Sequence, residues 1–95
     1  MIRHFDELQT MNAPHKGGKG SIQAALLLNE DEFEGKGRVF NHCVPKPGCS
    51  VGLHRHVNDF EVYYILKGKG VYNDNGTLVP VVAGDVTICK NGEEH

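Results

Sequence analysis

Apolar and polar positions alternate along this chain in short runs, and the runs are cut by glycine and proline. Breaks fall at Gly35, Gly37, Pro45, Pro47, Gly48, Gly52, Gly68, Gly70, Gly76, Gly84 and Gly92. Between them lie segments rich in Val, Ile, Tyr, Phe and Thr, residues that suit a pleated surface. Short strands at this rhythm predict an all-β sandwich or barrel. Strands are expected at 38–44, 50–54, 60–67, 70–73, 77–82 and 85–89. Asn73-Asp74-Asn75-Gly76 has the residues of a hairpin turn, because Asn, Asp and Gly tolerate positive φ; Ala83-Gly84-Asp85 is a second tight turn. Segment 21–28 has helix-favouring Ala and Leu, but its length after a glycine-rich loop also suits a strand, which is the expectation taken here. Asn29 then stands as an N-cap with Glu32 three residues on, the signature of a capping box.

Size and charge narrow the function. A domain of 95 residues has a thin core, and such domains commonly rely on a metal, disulfides or oligomerisation. The net charge is −2 with both signs spread along the chain, so there is no basic footprint for nucleic acid. The apolar run at 24–28 is far too short to span a bilayer, no basic cluster suggests a membrane surface, and the N-terminus lacks the apolar stretch of a signal peptide. A cytoplasmic protein is expected. The three cysteines, Cys43, Cys49 and Cys89, are odd in number and unpaired in spacing. They read as buried thiols rather than a disulfide scaffold. Residues 12–20, rich in Gly and Lys, read as a mobile loop between an N-terminal arm or edge segment (1–20) and the main domain (21–95).

The chemistry concentrates at 48–68. His54 and His56 are two apart, so on a strand both rings leave the same face, with Arg55 on the other. Their Cα atoms would then lie about 6.5–7 Å apart, close enough for two ring nitrogens to meet one ion at about 2.0–2.1 Å. A turn through Val57-Asn58-Asp59 returns the chain to Glu61, which a hairpin would place beside them. Tyr63 shares the face of Glu61. Asn91-Gly92 forms a turn pair before His95. His4 and His15 are expected in solvent on the arm, and His42 at the surface or in a satisfied core position.

Segment 48–68 resembles the first motif of the cupin family, G-x5-H-x-H-x4-E-x6-G, at Gly48, His54, His56, Glu61 and Gly68. Segment 84–95 is similar to the second, G-x5-P-x-G-x2-H-x3-N, at Gly84, Gly92 and His95, with Lys90 where proline is usual. The resemblance covers residues 38 to 95. It implies a double-stranded β-helix, the jelly-roll-like cupin barrel. It also implies one divalent metal ion held by His54, His56, Glu61 and His95. Glu61, and Tyr63 because it shares that residue's face, are the catalytic candidates. Fe, Mn, Ni, Co and Zn all suit such a shell, and ligand type alone does not choose among them.

Open metal positions can bind a substrate beside O2 or polarise a carbonyl. The expected function is therefore a metalloenzyme acting on a small oxygen-rich molecule, by dioxygenase, isomerase or decarboxylase chemistry. The alternative is a non-catalytic, metal-dependent small-molecule or sugar sensor; fold alone does not decide between them. Cupin barrels carry strands after the histidine of the second motif, and none follows His95. The chain is thus expected to be a C-terminally incomplete barrel from a protein of roughly 110–120 residues, judged from the strands still needed. Pairing as a two-fold homodimer is expected with it.

Overall fold

The structure, a computed structural model, describes all 95 residues and divides into two compact units, Met1–Gly52 and Leu53–His95. The first carries β1 (Thr10–Ala13), β2 (Ile22–Leu26) and β3 (Asn41–Pro45) in one antiparallel sheet of order β1-β2-β3. Two 3₁₀ turns accompany it, Phe5–Glu7 and Glu30–Phe33. The second carries β4 (Glu61–Tyr64) paired with β7 (Val86–Cys89), and a hairpin of β5 (Lys69–Asp74) with β6 (Thr77–Val82), all antiparallel. No helix is long and apolar enough to cross a membrane.

In the first unit the ambiguous 21–28 segment is a strand at its centre, with β1 and β3 on either side in register Met11↔Ala24↔Cys43. Tertiary pairing overrides the helix propensity of Ala and Leu. Ile22 and Ala24 are buried on one face and Ala25 on the other; burying a side chain such as Ile22 contributes roughly 1.5–3 kcal/mol. Two of the three cysteines depart from expectation. Cys43 is exposed and Cys49 partly so, while Cys89 alone is buried.

The glycine-rich stretch is not a loose loop. β1 takes Asn12 and Ala13, and the following residues cross segment 48–52 backbone to backbone. Gly52 N–H donates to His15 O at 3.0 Å, Ser50 N–H to Lys19 O at 2.8 Å, and Lys19 N–H to Ser50 Oγ at 2.9 Å. A Cβ on Gly18 would sit 1.9 Å from Ser50 O, and one on Gly52 1.8 Å from Lys16 O. These two glycines are required by contact. The crossing also explains why the strand expected at 50–54 is absent: the Ser50 and Gly52 backbone groups are spent on it, leaving only a single bridge from Val51 to His15.

The second unit follows the sequence more closely. Asn75 and Gly76, at φ 51° and 103°, connect the paired residues Asp74 and Thr77. A two-residue loop with both residues at positive φ matches the twist of its strands. Along β4, Glu61 and Tyr63 are half-buried while Val62 and Tyr64 are exposed. β7 continues the alternation, with Thr87 and Cys89 buried and Val86 and Ile88 exposed. The register Glu61↔Cys89 and Tyr63↔Thr87 puts the four inward residues on one face.

Candidate metal centre

Three pieces of backbone converge on the site. His54 to His56 do not form the regular strand the spacing suggests; they lie against the chain end through a short antiparallel ladder. His54 N–H donates to His95 O at 2.9 Å, His95 N–H to His54 O at 3.0 Å, and His56 N–H to Glu93 O at 3.0 Å. This pairing sets His54 opposite His95 and points Arg55 outward, where its guanidinium bonds Gly92 O and Glu94. The turn before His95 is tied without the usual proline. Lys90 N–H donates to Glu93 Oε2 at 2.9 Å, a bond proline could not make, and Gly92 N–H donates to His56 O at 2.7 Å. β4 brings in Glu61.

The structure gathers His54, His56, Glu61 and His95, whose donor atoms all lie within 4.8 Å of one another. His95 Nε2 is 3.1 Å from Nε2 of both His54 and His56. Glu61 Oε1 is 3.1 Å from His95 Nε2 and 3.4 Å from His56 Nε2. Although Oε1 is this close to two rings, it is buried with no hydrogen-bond partner. A buried carboxylate oxygen in that state is costly unless a cation meets it. Two atoms each about 2.1 Å from one ion stand about 3.0 Å apart at a right angle and about 3.4 Å at the tetrahedral angle. The observed separations fall in that span, so these residues fit a metal ion.

Electrostatics agree. Burial holds the His95 imidazole below its ordinary pKa, and His54 and His56 push the same way against the opposing pull of Glu61. A neutral imidazole is the form that ligates. Burial raises the Cys89 thiol, so it rests as an unreactive packing group.

Tyr63 lies beside this cluster, its ring stacked on His95 with centroids 5.2 Å apart and planes at 23°. His4, His15 and His42 all fall in the first unit; His42 sits edge-on to Phe5 at 5.5 Å. Two residues that touch the ligands went unread in the sequence. Asp59 Oδ1 lies 2.8 Å from His56 Nδ1, and Tyr72 Oη lies 2.8 Å from His95 Nδ1. Asp59 was legible in principle, as a carboxylate three residues after a ligand histidine. Tyr72 was not, because nothing in its hairpin strand marks the contact.

The sequence model of the cupin domain family matches residues 41–95, more than half of the chain. The chain belongs to the cupin domain family. This cupin is 49% identical over 80 residues to an oxalate-binding protein of Thermotoga maritima, a match covering 84% of the chain and 66% of the relative. It thus spans just under two thirds of that relative's length. It also superimposes on the crystal structure of a predicted oxalate decarboxylase from Thermotoga maritima, with a TM-score of 0.93 and 43% identity, covering 100% of this chain and 84% of the other. The all-β cupin fold expected from the sequence is the one found.

Proposed function

We propose that this cupin holds one divalent metal ion through His54, His56, Glu61 and His95, and that the metal-loaded site takes a small oxygen-rich acid of the oxalate class. One observation carries the first half: the hydrogen-bond-less, buried Oε1 of Glu61 among three histidine nitrogens. The ligand class is supported by the oxalate-binding relative. When bound, the metal would supply Lewis acidity toward carboxylate oxygens. The residues themselves do the rest. The three imidazoles present neutral donors, Glu61 contributes negative charge while its side chain stays 30% exposed at the rim, and Tyr63 walls the His95 side of the site.

The test has two parts. Elemental analysis of protein purified without chelator should find about one divalent ion per chain, and calorimetry on that form should show oxalate binding that acetate does not match. Loss of oxalate binding on metal removal is the expected control. Formate and CO2 are then assayed. Decarboxylation converts oxalate and one proton to one formate and one CO2, so matched release of both would add turnover to binding. Oxalate bound without either product would make the chain a binding module. Metal-free protein, or loaded protein indifferent to oxalate, would refute the proposal.

A further inference from the structure

Two of the ligand histidines are held from behind, by different chemistry. Behind His56 stands Asp59, with Oδ1 2.8 Å from Nδ1 and both side chains largely buried, at 23% and 10% exposure. An ionised carboxylate can only accept, so this bond places the imidazole proton on Nδ1. A neutral imidazole has one such proton, and Nε2 is left with its electron pair. That Nε2 is the atom facing Glu61 Oε1 and His95 Nε2.

Behind His95 stands Tyr72, whose Oη is 2.8 Å from Nδ1. A phenol can donate or accept, so this contact alone leaves the tautomer open. What the contact fixes is the orientation of the ring: with Nδ1 held at Tyr72 Oη, His95 Nε2 is turned to the other side, where it lies 3.1 Å from Nε2 of both His54 and His56.

We propose that Asp59 and Tyr72 are the positioning residues of the metal site: Asp59, by accepting the Nδ1 proton of His56, leaves that ring's Nε2 electron pair for the ion, and Tyr72, by holding Nδ1 of His95, turns that ring's Nε2 toward it. The metal part of this statement rests on the preceding reading. Without Asp59 the His56 ring could carry its proton on Nε2, and metal entry would first have to move it; without Tyr72 the His95 ring would lose the contact that sets its orientation. Asp59 has a second effect. With Glu61 it gives the site two carboxylates, a charge that matches a divalent ion. Both act through the histidines, as partners of ligating imidazoles commonly do.

The test begins on the metal-free full chain, where no ligand chemistry enters. Long-range proton–nitrogen NMR correlations report which ring nitrogen is protonated. His56 is expected as the Nδ1–H tautomer. Zinc affinity is then measured by competition with a chromophoric chelator. Asp59→Ala should release His56 to mixed tautomers and weaken zinc by about 10–100-fold, and Tyr72→Phe, which removes the Oη that holds His95 Nδ1, should weaken zinc by about tenfold. Asp59→Asn, which keeps an oxygen acceptor but not the charge, should restore the tautomer and only part of the affinity. That partial rescue separates positioning from packing, and amide spectra check that each variant is folded. An Nε2–H tautomer at His56 in the wild-type chain would overturn the proposal, as would Asp59→Ala and Tyr72→Phe variants that keep wild-type zinc affinity. Wild-type protein with the expected His56 tautomer but no zinc uptake would overturn the metal reading and uphold the tautomer assignment.

Discussion

The two units of this chain bury different kinds of residue. In Met1–Gly52 the buried side chains are Ile22, Ala24 and Ala25; in Leu53–His95 they are His56, Thr87 and His95 beside Cys89. Apolar burial stabilises by itself, whereas buried polar groups stabilise only when every one is matched. The first unit is therefore complete in what it buries, and its weak point is steric. The second keeps a carboxylate oxygen unmatched at its centre, so its stability depends on what enters the site.

The sharpest way to break this contrast is at the loop crossing of the first unit. Gly18→Ala or Gly52→Ala forces a methyl into a backbone carbonyl that would lie under 2 Å away. Overpacking against backbone, which cannot step aside as a side chain can, should cost about 3 kcal/mol or more in urea unfolding. Gly17→Ala, at φ 74° with nothing within 4 Å, meets only the conformational penalty, about 1–2 kcal/mol. Equal losses at Gly17 and Gly18 would show that the close approach is not what holds the crossing.

Metal removal addresses the other side. A ligand bound only by the native state adds about 2.7 kcal/mol at a hundredfold excess over its dissociation constant. Chelation should lower the melting midpoint, and hydrogen exchange should locate the loss. Amides of Leu53–His95 should exchange faster while those of β1 to β3 change little. Uniform acceleration would mean the two units do not differ in their dependence on the ion, and an unchanged midpoint would mean no ion is tightly held.

The histidines sharpen the same comparison at single residues. His54→Ala removes one of the four converging donors and should weaken metal binding by at least about a hundredfold, beyond the range for residues that only support a ligand. His42→Ala removes a ring that packs on Phe5, and should leave metal content unchanged. Equal metal loss in the two variants, read by elemental analysis, would show the site has been misassigned.

Why the second unit was the more legible half follows from these residues. Fixed spacing carried His54, His56, Glu61 and His95, because a motif that must deliver several ligands to one point tolerates little variation in turn length. The Asn75-Gly76 hairpin was legible because positive φ has few residue choices. The crossing of Gly18 and Gly52 was not. Composition reports that glycine permits freedom, but the need for glycine here comes from contact with carbonyls more than thirty residues away in sequence. Tyr72 was hidden for a similar reason: it meets His95 across 23 residues, with no local pattern to announce it.

The smallest expected effect lies at the second 3₁₀ turn, where the capping signature read from sequence gains a partner that sequence did not offer. Glu32 Oε1 accepts from Asn29 N–H at 2.8 Å, as anticipated, and both its carboxylate oxygens also accept from Arg3 Nη2 at 2.9 and 2.8 Å. The Arg3 hydrogen bond first, and the Asn29 backbone bond after it, hold the Glu32 carboxyl below its ordinary value of 4.5. A folded-state pKa below the unfolded one means stability that is fully present above the unfolded value and lost as pH falls through the folded value. Glu32→Gln keeps an oxygen for Asn29 but gives up the charge facing Arg3. Its midpoint should therefore sit slightly below wild type at neutral pH, by a small margin because the pair is open to solvent. The gap should close as pH falls from 4.5 through the lowered folded-state value, where the wild-type carboxylate itself becomes protonated. Because both proteins share every other titrating group, the difference between their melting curves isolates this one. A gap that stayed constant into acid would show that the glutamine acts through shape rather than charge, and that Arg3 gains nothing from the Glu32 carboxylate.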